Sequence, residues 1–579
     1  MIICQIIGMI VLLMIYYRDT PPYSAAPVSV SFVRSRDVER KAHTTSTRTK
    51  SASKIREKNR RHLDFTLYND LVKKVTGQTT SQIPEEARHT FRFIGDANLC
   101  NQYPWKYCYI AGNLRLIRKL LLELGWREVV PETPIAHLTW SLADLQDAKV
   151  YAAYHTLTSG LLVNHFPGIF ELGNKKYLSK NLKNMYELFG SGVTDFFPVS
   201  FQLPKEKTAF EELHEKMVQE KLKNPGGEAI MWVLKDPVGD RGEGVRVISG
   251  PQGIPSIARN FIVQQYIGNP YLINGYKFTI RAYGLITSFD PLRLYVFRNG
   301  FVHMATDKYD PSPENIGNKY MHLTNPDINK HRPNHPYAQD PRPWYWSLDE
   351  YLTHVKKSGG DPEMFFQRLK LMVAKAVLSA AHKFVQKAHD HVQYRGNCFE
   401  IFGLDVLVDR DLKPWIVEVN PDPDMSAGKN FPLAEKVKID MLRQSLNIVG
   451  VRSVRNSQED TRAARKVALS TFLWDISQNS PEPVTINAPF YRNCGRPIRP
   501  CPLGSPEEAI ILAASELELE AAERAGGGWE RAFPFDSTRR ELEPFLAEDR
   551  AASLLMQRSF RSEAMMRCWE RAIVDACAT

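Results

Sequence analysis

The chain has 579 residues, 43% of them hydrophobic and 24% charged, with a formal net charge of +10. These are ordinary figures for a globular protein, and the length allows roughly three or four domains. Its eight cysteines (Cys4, Cys100, Cys108, Cys398, Cys494, Cys501, Cys568 and Cys577) form no CxxC pair, which argues against a zinc ribbon or a disulfide scaffold and for a reducing compartment.

Residues 2–17 (IICQIIGMIVLLMIYY) are one apolar run, a little short of the about 20 residues a spanning helix needs. The run lacks the basic start and small-residue cleavage site of a clear signal peptide. Basic residues begin at Arg18, so as an anchor it would leave the rest of the chain cytosolic; a start codon placed too early is the alternative. Residues 18–61 read as a flexible basic arm. Within it, from Arg34 to Arg61, eleven Lys or Arg stand against three acids, a local net of +8. Such a run is either a solvated arm or an attractor of nucleic acid, anionic lipid or acidic protein tails.

Residues 62–200 read as an N-terminal α/β domain, with FRFIGDANLC a strand entering a turn and 114–124 (LRLIRKLLLEL) a helix stopped by Gly125. Residues 201–450 alternate strands and turns: a charged helix over 210–223, then MWVLKD, GVRVI, NFIVQQYI, and YKFTIRAYGLIT paired with LRLYVFRNG. A long polar, proline-rich loop covers 311–343. Between 364 and 392, Phe365, Leu369, Met372, Ala376, Ala380 and Phe384 recur at the spacing of a buried helix. A hairpin over 401–424 follows, then a helix over about 433–448. Residues 451–579 form a poorly determined tail with one or two helices, broken by AGGG at 525–528.

Five stretches carry candidate chemistry. On the hairpin IFGLDVLVDRDLKPWIVEVN, Asp405, Glu418 and Asn420 place three oxygen-bearing side chains where a hard divalent cation would sit, unless the acids are merely exposed. In MWVLKDPVGDRGEGV, strand-borne Lys235 precedes a turn containing Arg241, in which Gly239, Gly242 and Gly244 permit close backbone approach to a phosphate; a plain structural turn reads equally well. In FIVQQYI, residues Gln264, Gln265, Tyr266 and Ile267 resemble an adenine-recognising edge. In YKFTIRAY, Lys277, Thr279 and Arg281 share one strand face, and cations on an otherwise apolar strand are costly unless they meet an anion. The last is HLTN, with His322, Thr324 and Asn325.

In this order the motifs resemble an ATP-grasp ligase, and more narrowly the tubulin tyrosine ligase-like family. VQQYIGNPYLINGYKFTIRAYGLITSFDPLRLYVFRNG, HLTN and FGLDVLVD…KPWIVEVN carry the resemblance, with NHFPGIFEL and FPVSFQLP upstream; it spans roughly residues 90–450. It implies an α+β, ATP-grasp-like fold of mixed and antiparallel sheets with packed helices, holding nucleotide between two lobes. Lys235 and Lys277 would contact ATP phosphates, and Gln264 to Ile267 would border the adenine. Arg281 would face the γ-phosphate or an acyl-phosphate; with Lys277 and Glu418 it makes the expected catalytic set. His322, Thr324 and Asn325 would line the nucleotide and amino-acid end, and Asp405, Glu418 and Asn420 would hold Mg²⁺. The implied activity is an ATP- and Mg²⁺-dependent ligase adding amino acids, glutamate by expectation, to the acidic tails of tubulin. It implies no nucleic acid, a cytoplasmic place at the cytoskeleton or cilium, and membrane contact only through residues 2–17.

The chain also departs from that family. Thr279 stands where the family usually has the Asp of KFDxR, His303 where a basic residue ends GxxR, Asp236 in place of a proline, Glu243 in place of a common basic residue, and Asn174 in place of an Arg. A catalytically impaired relative, or a ligase for a non-tubulin protein, are the alternatives.

Overall fold

A computed structural model describes residues 107–110, 114–128, 138–140, 162–224, 229–236, 244–255, 260–289, 292–392, 397–426, 432–451 and 526–534, with single positions at 239, 242, 518 and 522. The apolar run 2–17, the basic arm, the strand expected at FRFIGDANLC, and Arg241 and Glu243 lie outside the described residues. Among those described, no helix is long and apolar enough to cross a membrane.

Three sheets organise the chain into an α+β architecture. The first holds four short parallel strands in the order Arg127–Glu128, Tyr107–Ile110, Leu138–Trp140 and Leu162–Val163, with helix α1 (Arg115–Glu123) between the first two in sequence. Helix α2 (Lys175–Phe189) follows. Asn174 caps it, its side chain accepting from the backbone N–H of Lys176 and Tyr177, so the residue that stands in place of a family Arg acts as a helix cap.

The second sheet is antiparallel and contains β1 (Ser200–Leu203), β2 (Trp232–Lys235), β3 (Arg246–Ile248) and β4 (Phe261–Gln265), in the order β1-β4-β2-β3. The charged helix α3 (Lys207–Lys223) covers it through Phe210, which is fully buried against Trp232.

The third and largest sheet is built on the 14-residue strand β5 (Tyr276–Phe289). One side of β5 pairs first with β7 (Phe301–Lys308) and then with β6 (Leu292–Phe297); the other side pairs with β8 (Glu400–Val408), which pairs in turn with β9 (Pro414–Asn420). Alternation along these strands separates two faces. Phe278, Ile280, Ala282, Val302, Leu404, Val406 and Ile416 pack on the 30-residue helix α4 (Pro362–His391), and all six periodic residues expected on that helix are buried. On the opposite face, Tyr283, Leu285, Tyr295, Phe297, Phe301 and Ile401 are covered by α1 and by α5 (Pro432–Ile448). Nearer the start of β5 that second face turns polar. There Lys277, Thr279, Arg281, His303, Asp405 and Glu418 emerge from it.

The tail supplies a strand that the sequence pattern did not single out. β10 (Trp529–Phe533) pairs antiparallel with β6 and extends the sheet edge. Glu518, 3% exposed, anchors the same region. Its carboxylate accepts from Thr287 Oγ1 at 2.8 Å, from Arg293 Nε and Nη2 at 2.9 and 3.0 Å, and from Tyr295 Oη at 3.2 Å. Removing one partner of a buried ion pair strands the other charge. Glu518→Gln should therefore lower unfolding free energy by about 3 kcal/mol, measured by urea unfolding; an unchanged midpoint would show the anchor to be dispensable.

Candidate functional site

The cationic end is set by two lysines from different sheets. Lys235 ends β2 and is 6% exposed; Lys277 lies on β5 and is 4% exposed. Lys235 Nζ donates to Gln264 Oε1 at 2.6 Å and to the Val417 carbonyl at 3.2 Å. Gln264 is held in turn, its Nε2 donating to Ser200 Oγ at 2.9 Å. This side chain therefore aims Lys235 and is not free to read a base. The N–H groups of Gln265 and Tyr266 are already taken by the carbonyls of Val199 and Met231.

Lys277 donates to Tyr266 Oη at 2.7 Å and lies 4.1 Å from the centre of the Tyr266 ring. Tyr266 Oη is 2.8 Å from His322 Nδ1, whose Nε2 is 3.1 Å from the Asn315 carbonyl. Burial, with Lys277 nearby, pulls the His322 imidazole down to about 4. The ring is therefore neutral: Nε2–H must donate to the carbonyl, Nδ1 accepts from tyrosine, and tyrosine is left to accept from the lysine. The chain from Lys277 through Tyr266 and His322 thus fixes the ammonium.

Neither lysine forms an ion pair among the described residues. Burial pulls Lys235 down to about 8, partly restored by Glu418; burial and the Lys235 charge pull Lys277 down to about 7. Two buried lysines, Lys277 depressed further by the Lys235 charge and Lys235 by that of Lys175, make a place that favours an incoming anion.

The anionic end is the hairpin of β8 and β9. Register places Asp405 opposite Glu418 and Gly403 opposite Asn420, so all three expected ligands share a face. Arg281, opposite Asp405 on β5, donates from Nε and Nη2 to its carboxylate at 2.7 and 3.2 Å. Burial would raise Asp405, but the Arg281 charge and hydrogen bonds outweigh it and hold the carboxyl below its usual range. Among the described residues no three His, Cys, Asp or Glu side chains group as a metal site; the donors here are two carboxylates and an amide. That set fits Mg²⁺, which takes one or two carboxylates and completes its shell with substrate phosphates and water. Asn420 lies beside Asp405 and helps to hold that carboxyl below its usual range.

Lys175, not among the expected site residues, joins the two ends. Its Nζ lies 3.0 Å from Glu418 Oε1 and donates to the Gly239 carbonyl at 3.0 Å, tying the metal end to the glycine-rich turn. The only sequence signal was its place just after NHFPGIFEL. The turn also reaches the HLTN segment. Gly242 has φ +80, and a Cβ there would fall 2.6 Å from Ile328 Cδ1 and 3.6 Å from Asn325 Cβ. Gly244, with φ +71, packs on Asp236, the residue standing in place of a family proline. Thr324 meets Thr279, the hydroxyls 2.7 Å apart, and Asn325 caps the helical turn Pro326–Asn329.

His303 lies directly opposite Thr279, with its ring 4.7 Å from that of Tyr345. Burial, and then the Arg281 charge, pull it down to about 3. The two departures from the family pattern thus form one neutral patch beside Arg281.

Comparison with known proteins places this arrangement in a group. The family described as tubulin-tyrosine ligase matches residues 156–459. The chain is 32% identical over 366 residues to tubulin polyglutamylase TTLL5 of Mus musculus, covering 62% of this chain and 26% of that protein. It is 32% identical over 400 residues to tubulin monoglutamylase TTLL4 of Homo sapiens, covering 66% and 32%. To tubulin polyglutamylase ttll-4 of Caenorhabditis elegans it is 34% identical over 301 residues, covering 52% and 47%. The match thus spans about a quarter to a half of the length of these relatives.

Proposed function

Because the chain belongs to the tubulin-tyrosine ligase family, we propose that it is an ATP- and Mg²⁺-dependent carboxylate–amine ligase that adds glutamate to the acidic tails of tubulin. The observation that carries the nucleotide part is the pair of buried, depressed lysines, Lys235 and Lys277, facing a hairpin that presents Asp405, Glu418 and Asn420. Glutamate as the amino acid rests on the names of the relatives, two polyglutamylases and a monoglutamylase. The basic arm at 18–61 would attract acidic tails, and action on tubulin would place the protein at the cytoskeleton.

Lys235 and Lys277 neutralise phosphate oxygens, and the backbone of Ile267, next along from the occupied N–H groups, borders the base. Arg281 holds the γ-phosphoryl group in line for attack by the acceptor carboxylate. As the carboxylate takes the γ-phosphoryl group, the bond from that group to the β-phosphate breaks and ADP is the leaving group. The acyl-phosphate so formed is opened by the amine of the incoming amino acid; phosphate leaves, the amine loses a proton, and an amide bond remains. Asp405, Glu418 and Asn420 would hold Mg²⁺, which when bound neutralises the developing charge on the phosphates. Positioning and charge neutralisation supply the catalysis.

Purified protein incubated with tubulin, Mg-ATP and labelled glutamate, glycine or tyrosine in parallel should incorporate glutamate alone. Absence of all three labels would remove the tubulin-ligase reading. The neutral patch of Thr279 and His303 favours a second reading, a relative with impaired catalysis. In that case Thr279→Asp combined with His303→Arg should create incorporation absent from the natural chain.

A further inference from the structure

The segment NHFPGIFELG grips the far end of the metal-bearing hairpin. His165 is 1% exposed, with Nδ1 2.8 Å from Glu400 Oε1 and Nε2 3.3 Å from Asp422 Oδ1. Glu400 begins β8, five residues before Asp405 on the same strand. Asp422 follows the last residue of β9, Asn420, by two. Since Asn420 lies opposite Gly403, Glu400 and Asp422 come together at the same end of the ribbon, and the imidazole sits between them. The backbone joins in: Phe166 N–H donates to Glu400 Oε2 at 3.0 Å, Val163 N–H donates to the Asn397 carbonyl at 2.7 Å, and Phe399 N–H donates to the Val163 carbonyl at 3.0 Å.

A second contact clamps the residue between Asn420 and Asp422. A Cβ added to Gly173 would fall 2.3 Å from Pro421 Cγ and 2.6 Å from its Cδ. Only glycine lets this segment press so closely on the proline. Pro421 and Asp422, the two residues after Asn420, are thus each held by the NHFPGIFELG segment, one by close backbone packing and the other by His165.

We propose that His165 is a positioning residue for the divalent cation, a buried staple across Glu400 and Asp422 that fixes the hairpin end so that Asn420 meets the metal held by Asp405 and Glu418. It rests on the Mg-nucleotide reading of the hairpin. Burial alone would strip the imidazole of its proton, but the Glu400 and Asp422 carboxylates at its ring nitrogens pull the other way and raise it. Burial raises Glu400 as well, to about 7, so the proton is held between the two, and the Asn164 amide, 2.9 Å from Nε2, completes the cluster. A packing histidine without this role would need neither carboxylates from the two arms of the hairpin, one at the start of β8 and one just past β9, nor a glycine clamp on Pro421.

The test is calorimetric titration of MgCl₂ into full-length protein with the non-hydrolysable analogue AMP-PNP, alongside AMP-PNP binding without metal. His165→Gln should raise the Mg²⁺ concentration for half-saturation by about tenfold, the lower end for groups that support metal ligands indirectly. The metal-free affinity should not change. Asp422→Asn, at a half-exposed carboxylate, removes one arm of the staple and should shift the midpoint in the same direction, and it carries the test if His165→Gln does not fold. Folded variants that titrate like wild type, or that lose metal-free and metal-dependent affinity together, overturn the proposal. Wild-type protein that ignores AMP-PNP overturns the nucleotide reading instead.

Discussion

Replacing Lys277 with methionine should cut turnover by about 10²–10³-fold, the usual cost of losing one preorganised electrostatic group, while the melting temperature stays level or rises. The two effects have one cause. Lys277 is buried and donates one hydrogen bond, to Tyr266, but forms no ion pair among the described residues. In the absence of an anion the fold bears the cost of its desolvation. Methionine fills similar space without that cost, and Tyr266 keeps its bond to His322. Titration sharpens the expectation. The folded pKa is about 7 against an ordinary 10.5, so between these values the unfolded chain holds a proton that the folded chain does not. Stability from Lys277 therefore rises with pH across that window, and Lys277→Met should flatten the rise. A variant that unfolds readily and keeps its activity would show that the lysine serves the fold.

Glu418→Gln should lower turnover by a similar factor, about 10²–10³-fold, without loss of the fold. The carboxylate is part-exposed, opposite Asp405 in the hairpin register, and glutamine keeps its shape. Lys175 would lose an ion pair but retain the Gly239 carbonyl. An amide is a poorer ligand than a carboxylate for a hard cation, so the loss should be accompanied by a higher Mg²⁺ requirement in steady-state assays. Turnover equal to wild type would show that the hairpin does not hold the metal.

Much of this was legible in the sequence where the signal was local. The hairpin, β5 and the long helix α4 follow from periodicity, and their faces follow from the period: Lys277, Thr279 and Arg281 alternate with Phe278, Ile280 and Ala282 along β5. Other parts depended on tertiary approach. β10 is five residues far from its partner strand in sequence, and only pairing with β6 defines it. Lys175 gains meaning from the arrival of Glu418 and Gly239, which no local pattern announces. Gln264 lies in the stretch that resembles an adenine edge, yet its side chain holds Lys235; the strand was legible, but the direction of the amide was not. His303 was legible as a missing cation. That it faces Thr279 and packs beside Tyr345 required the register between β5 and β7.

The central claim is that Lys235 and Lys277 receive the phosphates of a nucleotide. The most direct measurement is calorimetric titration of wild-type protein with Mg-AMP-PNP near pH 8 in two buffers of different ionisation enthalpy. At that pH Lys277, at about 7, is mostly neutral, and a phosphate beside it would restore its charge. Lys235, at about 8, is half-neutral there as well, so binding should take up between about one and two protons, and the uptake should fall toward zero near pH 6, where both lysines are already charged. Failure to bind, or binding with no proton uptake at either pH, would contradict the assignment.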